Sequence, residues 1–300
     1  MRLATVRAGG ATQAARITGR SVELLGVPDV RALLSTGPDW RRAVDDLVTG
    51  PADPDTVDFA PLVPAPSKIL CVGLNYRQHA EEMGLDFPVY PTVFAKFAQS
   101  LVGARDPVEI PYGSRSTDWE AELIIVVQGP VRHCPAAEAA SAIAGFTVGN
   151  DVSERAYQNR TSEWLQGKTW DRTTPVGPVL VTTDEVGVSP DLAVTCSLDG
   201  ELKQSSRTSD MIFSPPEVVA YLSSIMTLEA GDLIFLGTPS GVGNGRRPPE
   251  FLTAGLTMRT EIERIGVLEN RCVEASAPAS GATASPAATT SAKAARPVDA

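Results

Sequence analysis

Apolar positions in this chain fall mostly in short runs of strand length, separated by Gly and Pro, and few stretches carry a helical spacing. RLATVRAG and GRSVELLG, near the start, predict short strands with Gly turns. Val30–Leu34 and Asp39–Val48 predict helices. PADPDTVDFAPLVPAPS then marks a linker, because its prolines cannot sit inside a regular helix. From Lys68 the texture changes. KILCVGLN predicts a buried strand, and TVFAKFAQS, WEAELIIVVQG, GPVLVTT, LAVTCSLDG and DLIFLGTPSG predict strands or strand edges. Tyr76–Met83 predicts a short helix with Asn75 as N-cap and Gly84 as its stop. Pro135–Ile143 and Pro215–Met226 predict two more helices, the second with Pro in its first turn.

Many strands and few helices predict a mixed, strand-rich α+β fold, and no internal repeat is visible. The pattern divides into a small N-terminal α+β unit over residues 1–60, a main domain over 61–274 and a tail over 275–300. The tail is Ala, Ser, Pro and Thr with almost no large apolar side chain. Such a composition cannot bury enough surface to offset ordering entropy, so disorder is expected there.

Composition narrows the function classes. The 300 residues suit one large domain or one large plus one small. A net charge of −10 argues against nucleic-acid binding, which needs clustered Lys and Arg. Anionic substrates stay open, since a local metal reverses the sign of a site. No stretch approaches the roughly 20 apolar residues of a membrane span, and MRLATVRAGG lacks the apolar region of a signal peptide. Cys71, Cys134, Cys196 and Cys272 are scattered, which gives neither a zinc motif nor a disulfide framework and points to a reducing cytoplasm. With His79 and His133 the only two histidines, a multi-histidine metal site within one chain is excluded.

Five constellations carry candidate chemistry. In Asp118-Trp-Glu120-Ala-Glu122, strand alternation puts the acidic residues on one face. They repel unless a hard divalent ion with oxygen ligands lies between them; a solvated strand face is the alternative. In Gly149-Asn150-Asp151, the aspartate is either a helix cap or a third carboxylate of the same site. Three carboxylates plus waters suit Mg²⁺ or Mn²⁺. In Asn75-Tyr76-Arg77-Gln78-His79-Ala-Glu-Glu82, His79 and Glu82 are three apart on a helix and can meet. A carboxylate beside imidazole makes a general base, unless the pair is a surface ion pair. His133, between Arg132 and Cys134, reads as structural or surface. Lys168 lies between Trp164 and Trp170, with Asp171 as a candidate partner; it is either a buried lysine with a role or a loop lysine lying over indole rings. GTPSGVG at 237–243 lacks the ending of a phosphate loop and reads as a tight turn lining a pocket.

Taken in order, VGLNYRQHAEEMG, PTVFAKFAQSLVG, DWEAELIIVV, GFTVGNDVSERAYQ, GKTWDRTTPVGP, SSRTSDMIF and GDLIFLGTPSGVG resemble the fumarylacetoacetate hydrolase family over roughly Lys68 to Glu274. The likeness is to acylpyruvate hydrolases and homoprotocatechuate-pathway isomerases and decarboxylases. It implies a mixed β-sandwich roll, usually a homodimer, using Mg²⁺ or Mn²⁺. It implies Glu120, Glu122 and Asp151 as metal ligands, the His79–Glu82 dyad, and Lys168 as the active-site lysine. Lys96, Gln158 and Thr238 are implied near the substrate, and Tyr76 and Arg77 are expected to contact it as well. Gln128-Gly-Pro130 and Leu256 depart from the family's usual Ile-Gly-Lys and Gly-Asp. The reaction expected first is hydrolytic C–C cleavage of an acylpyruvate, a small 2-oxo acid, with His79 activating water. Isomerisation or decarboxylation on the same site is the alternative, and a non-catalytic binding protein that kept the fold is a second.

Overall fold

The computed structural model describes residues 1–277, so residues 278–300 of the expected disordered tail lie outside the described residues. The fold is strand-rich α+β with mixed sheets. The larger sheet has 12 strands, and its centre runs in the spatial order Arg2–Ala8, Thr174–Thr182, Ile143–Asn150, Ala121–Val127, Leu233–Phe235, Ile69–Gly73 and Thr92–Lys96. Most pairs are antiparallel, but Leu233–Phe235 runs parallel to Ile69–Gly73. A second sheet of 5 strands is built from Glu201–Arg207, Ala193–Leu198, Thr257–Ile262, Gly266–Glu274 and Val108–Ile110.

The run LIIVV explains why Ala121–Val127 lies at the centre. Every residue of that strand is buried. Leu123, Ile125 and Val127 enter one apolar cluster with Val194, Met258 and Leu268 of the second sheet and Val218 and Leu222 of the helix Pro215–Ile225. Ile124 and Val126 enter another with Leu33, Trp40 and Leu62. A strand covered on both faces reads as an unbroken apolar run rather than as an alternation.

The N-terminal strands join the same sheet, with Arg2 opposite Val181 and Leu3 opposite Leu180. The Pro-rich segment after them is packed along that sheet. Asp58–Phe59 pairs with Arg2–Ala8, the Thr5 hydroxyl donates to the Leu62 carbonyl at 2.6 Å, and Leu62 and Val63 are buried.

Three local expectations need correction. The helix expected over 39–48 shrinks to Trp40–Ala43 and a tight turn at Asp45–Leu47, because Val48 is taken into pairing with Leu25. The helix expected over 135–143 is Ala136–Ala139 followed by a tighter turn at Ala140–Ala142, and it ends there because Ile143 pairs with Val127. Asn75 does not cap the helix Arg77–Glu82; Tyr76 holds the cap position. The Asn75 amide instead donates to the carbonyls of Phe213 and Leu236 and accepts from the Phe213 N–H. Pro215–Ile225 starts as expected, with the Glu217 carboxylate accepting from the Ser214 N–H and hydroxyl. No helix among the described residues is long and apolar enough to cross a membrane.

Candidate active site

Strand pairing converts three separated acidic residues into one cluster. Ala121 pairs with Asn150 and Glu122 with Gly149. Asp151 therefore follows directly on the partner strand, and its N–H donates to the Glu120 carbonyl at 2.8 Å. Alternation then turns Glu120 and Glu122 to one side. One carboxylate oxygen from each of Glu120, Glu122 and Asp151 lies within 4.8 Å of the others, and all three residues are buried. Asp118, expected on the same face, lies outside this cluster. The strand breaks at Trp119–Glu120, and the Asp118 carboxylate accepts instead from the N–H groups of Gly243 and Asn244, at 2.7 and 3.0 Å, and from Arg155.

Cations surround two of the three carboxylates. Lys168 Nζ lies 2.7 Å from Glu120 and 2.9 Å from Asp151. Lys96 Nζ lies 2.6 Å from Asp151. Arg155 bridges Glu120, at 2.7 Å, and Asp118, at 2.8 Å. Among the described residues no ion pair reaches Glu122, which accepts one N–H, from Gly237 at 2.7 Å. Electrostatics follow that division. Burial works to raise the Glu120 carboxyl, but Lys168 and Arg155 outweigh it and hold its pKa at about 2. Burial, then Asp151 and Glu120, push the Glu122 carboxyl well above the usual range. Burial works against the charged form of Lys168, and Asp151 and Glu120 more than restore it, so the ammonium is held charged. A buried carboxylate with no cation of its own, in an all-oxygen donor set, is what a hard divalent ion satisfies. The three residues fit such an ion.

The expected dyad stands beside the cluster. His79 Nδ1 and Glu82 Oε2 are 3.1 Å apart on the helix Arg77–Glu82. His79 also helps to hold the Glu120 pKa down, which places it within electrostatic reach of the cluster. Tyr76 is fully buried with its hydroxyl unpartnered. Gln158 reaches the cluster through Arg155, whose guanidinium it accepts at 2.8 Å. The Thr238 hydroxyl donates to the Ala121 carbonyl at 3.0 Å and accepts from Gln204 at 2.8 Å, so it braces the strand that carries Glu122. Arg77 is exposed, its guanidinium held by the carbonyls of Met211 and Asp210 rather than by a site carboxylate. Asp171 is exposed and does not pair with Lys168, whose ammonium lies 5.0 Å from the centre of the Phe94 ring rather than over an indole. His133 is exposed, as expected.

Sequence reasoning passed over Arg155 and Asn150. The Asn150 side chain accepts from the Glu120 N–H at 2.9 Å and donates to Thr260 at 3.0 Å, which fixes where the first acidic ligand candidate starts. Both residues stand in the GNDVSER segment. For Arg155, a lone cation four residues after Asp151 in a segment with two acidic residues was the available signal.

The likeness to known proteins agrees with this geometry. The family model described as fumarylacetoacetate (FAA) hydrolase C-terminal matches residues 68–273. The chain is 41% identical over 218 residues to a mitochondrial oxaloacetate tautomerase of Rattus norvegicus, covering 72% of this chain and 70% of that protein. Among solved structures, a fumarylacetoacetate hydrolase from Exiguobacterium antarcticum is 29% identical with a TM-score of 0.81, covering 92% of this chain and 100% of that one. A 5-carboxymethyl-2-hydroxymuconate delta-isomerase from Mycobacterium smegmatis is 31% identical with a TM-score of 0.76, at the same coverage of 92% and 100%. The match over more than half the chain, on the segment that builds the carboxylate cluster, means that this protein belongs to the fumarylacetoacetate hydrolase family.

Proposed function

We propose that this chain is a divalent-metal-dependent enzyme that moves a proton on a small 2-oxo diacid, with keto–enol tautomerisation of oxaloacetate as the first reaction to test. The observation that carries this reading is the buried Glu120, Glu122 and Asp151 cluster with Lys168 and the His79–Glu82 dyad beside it. The 41% identity to a protein named as an oxaloacetate tautomerase supports tautomerisation over the other reactions of such a site.

Glu120, Glu122 and Asp151 would hold Mg²⁺ or Mn²⁺, which when bound would supply Lewis acidity for the charge that develops on the substrate. His79, oriented by Glu82, takes the proton from C3 of the keto acid. The C–H electron pair becomes the C2–C3 double bond, and the carbonyl pair moves onto the C2 oxygen. Lys168, held charged by its two carboxylate partners, neutralises that developing charge. Transfer of that proton from His79 to the C2 oxygen completes the enol and restores the base, and the same steps reversed return the keto form. The burial of the cluster keeps bulk water from screening these charges.

Hydrolysis of an acylpyruvate is the second reading. The dyad favours it, since a base that takes a proton from carbon can equally take one from water. The test is a panel of oxaloacetate and acylpyruvates with Mg²⁺ or Mn²⁺, read by loss of enol absorbance and by mass spectrometry of products. Acceleration of enol loss over metal-only buffer, abolished in Glu122→Gln, is expected. No turnover on the whole panel with metal bound would return the chain to a binding protein.

We also propose a homodimer, to be checked by sedimentation. The 4 cysteines are all free, which supports a reducing compartment such as the expected cytoplasm.

A further inference from the structure

Glu82 is held from a second direction that the dyad alone does not explain. Besides His79, its carboxylate accepts the Gly241 N–H at 3.1 and 3.4 Å. Gly241 has φ +97°, and a Cβ there would lie 2.3 Å from the Lys203 carbonyl oxygen, so only glycine presents this N–H. Four residues on, Gly245 faces the same carboxylate. A Cβ at Gly245 would stand 3.1 Å from Glu82 Cδ and Oε1. The segment between them is itself pinned, because Gly243 and Asn244 donate to Asp118, and Asp118 binds the Arg155 that holds Glu120. One turn therefore touches the dyad on one side and, through Asp118 and Arg155, connects to the carboxylate cluster on the other.

We propose that the turn from Gly241 to Gly245 is a seat for Glu82 that fixes the His79 imidazole, with Gly241 and Gly245 acting as positioning residues. The proposal rests on the reading of His79 as the base. Burial works to raise Glu82, and the hydrogen bonds from His79 and Gly241 outweigh it, so the seated group is an ionised carboxylate. The charged groups facing the pair are Arg246 from the turn and Glu120 from the strand start, while Asp210 caps the same helix at the Gln78 N–H.

Gly245→Ala tests the seat. The backbone there is not left-handed, and the atoms it displaces are the end of a flexible side chain, so a shift of Glu82 by a few tenths of an ångström is expected. With Mg²⁺ and oxaloacetate, kcat should fall about tenfold with KM within about twofold, given that about 1 Å of misplacement costs about 10²-fold. Mn²⁺ affinity should be unchanged. In a Glu82→Gln background the same substitution should add less than about twofold, since the seated charge is already gone. In a His133→Asn background, which leaves one histidine, the ring ¹⁵N chemical shifts of His79 at fixed pH should change as its carboxylate partner retreats. Unchanged His79 ring shifts together with multiplicative losses in the Glu82→Gln background overturn the seat. Changed His79 ring shifts with unchanged turnover keep the seat and remove His79 from the reaction proposed above. Should Gly245→Ala not fold, amide exchange decides. Glu82→Ala should speed exchange at Gly241 by about tenfold or more, and unchanged exchange overturns the seat.

Discussion

Glu122→Gln separates the stability of the carboxylate cluster from its function. Glu122 is 2% exposed and meets one backbone N–H and no cation. Glutamine has the same shape. Its oxygen can accept from Gly237, and its NH₂ can donate toward Asp151 and Glu120, the two groups that now repel it. Removing a buried, unpaired charge should stabilise the metal-free protein by about 1–3 kcal/mol, which at about 2–4 °C per kcal/mol is a rise in Tm of roughly 2–12 °C. The sign follows from linkage. The Glu122 pKa is raised on folding, so its contribution to stability is complete below the unfolded value of about 4.3 and is lost as pH rises through the folded value. The variant has no such dependence, and its advantage in chelator should grow from acid toward neutral pH. Mn²⁺ should act the opposite way. Loss of one anionic ligand should weaken binding by about 10²-fold, so saturating Mn²⁺ stabilises the wild type by about 2.7 kcal/mol more than the variant, and the gap in Tm closes. Thermal melts in chelator and in Mn²⁺ across pH, with calorimetric Mn²⁺ titration, measure all of this. A variant that melts below wild type in chelator at neutral pH, or that binds Mn²⁺ as tightly, refutes the reasoning.

His79→Ala should cut oxaloacetate tautomerisation and any acylpyruvate hydrolysis by about 10²-fold or more, leave Mn²⁺ affinity unchanged, and spare decarboxylation, which makes its carbanion without a base; a product assay on one preparation compares them. Lys168→Met removes the cation between Glu120 and Asp151 and should cost about 3–5 kcal/mol in chelator, seen as a lower urea midpoint, with Mn²⁺ recovering part of the loss. Ile125→Ala, in the fully buried central strand, should cost about 2–5 kcal/mol without changing kcat of the folded fraction. We propose that residues 1–60 act as a distinct unit in sequence only. Because Arg2 and Leu3 pair with Val181 and Leu180, their deletion should leave an aggregating chain rather than a stable core, as light scattering during refolding would show.

The parts legible in the sequence are those where one residue type has one physical use. LIIVV read as a strand, and the E-x-E leading into it put Glu120 and Glu122 on one face, where the structure gathers them with Asp151. Helix ends were less legible. Val48 and Ile143 carry no mark saying that a strand partner will claim them; Leu25 and Val127 decide that from far along the chain. The polar residues were least legible, because each had several plausible partners. Asp118 shares the alternation of Glu120, yet two N–H groups of a turn more than 120 residues later hold it elsewhere. Asp171 was the nearest acid to Lys168 in sequence, but the lysine pairs with Asp151 and Glu120, 17 and 48 residues away.

The same strand is the centre of the apolar core and the carrier of Glu122, with Glu120 immediately before it, and that coincidence has a physical use. A site for a hard ion tolerates little play in its oxygens, and like charges brought this close push apart unless something rigid holds them. The interior of Ala121–Val127 is packed on both faces, so the backbone under Glu122 cannot relax away from Asp151 without opening the core. Thr238 and Asn150 add hydrogen bonds at the point where the packed strand gives way to the charged end. Core substitutions near that end should therefore reach the site. Ile124→Ala, two residues from Glu122, removes the side chain that lies against Gly149, the residue paired with Glu122. It should weaken Mn²⁺ binding by roughly tenfold, a cost of about 1.4 kcal/mol, beyond its loss of stability. Val126→Ala, further along the same face, should lose similar stability and keep full affinity. Equal Mn²⁺ affinity in the two folded variants would mean that the carboxylates are held by their own hydrogen bonds and not by the strand beneath them.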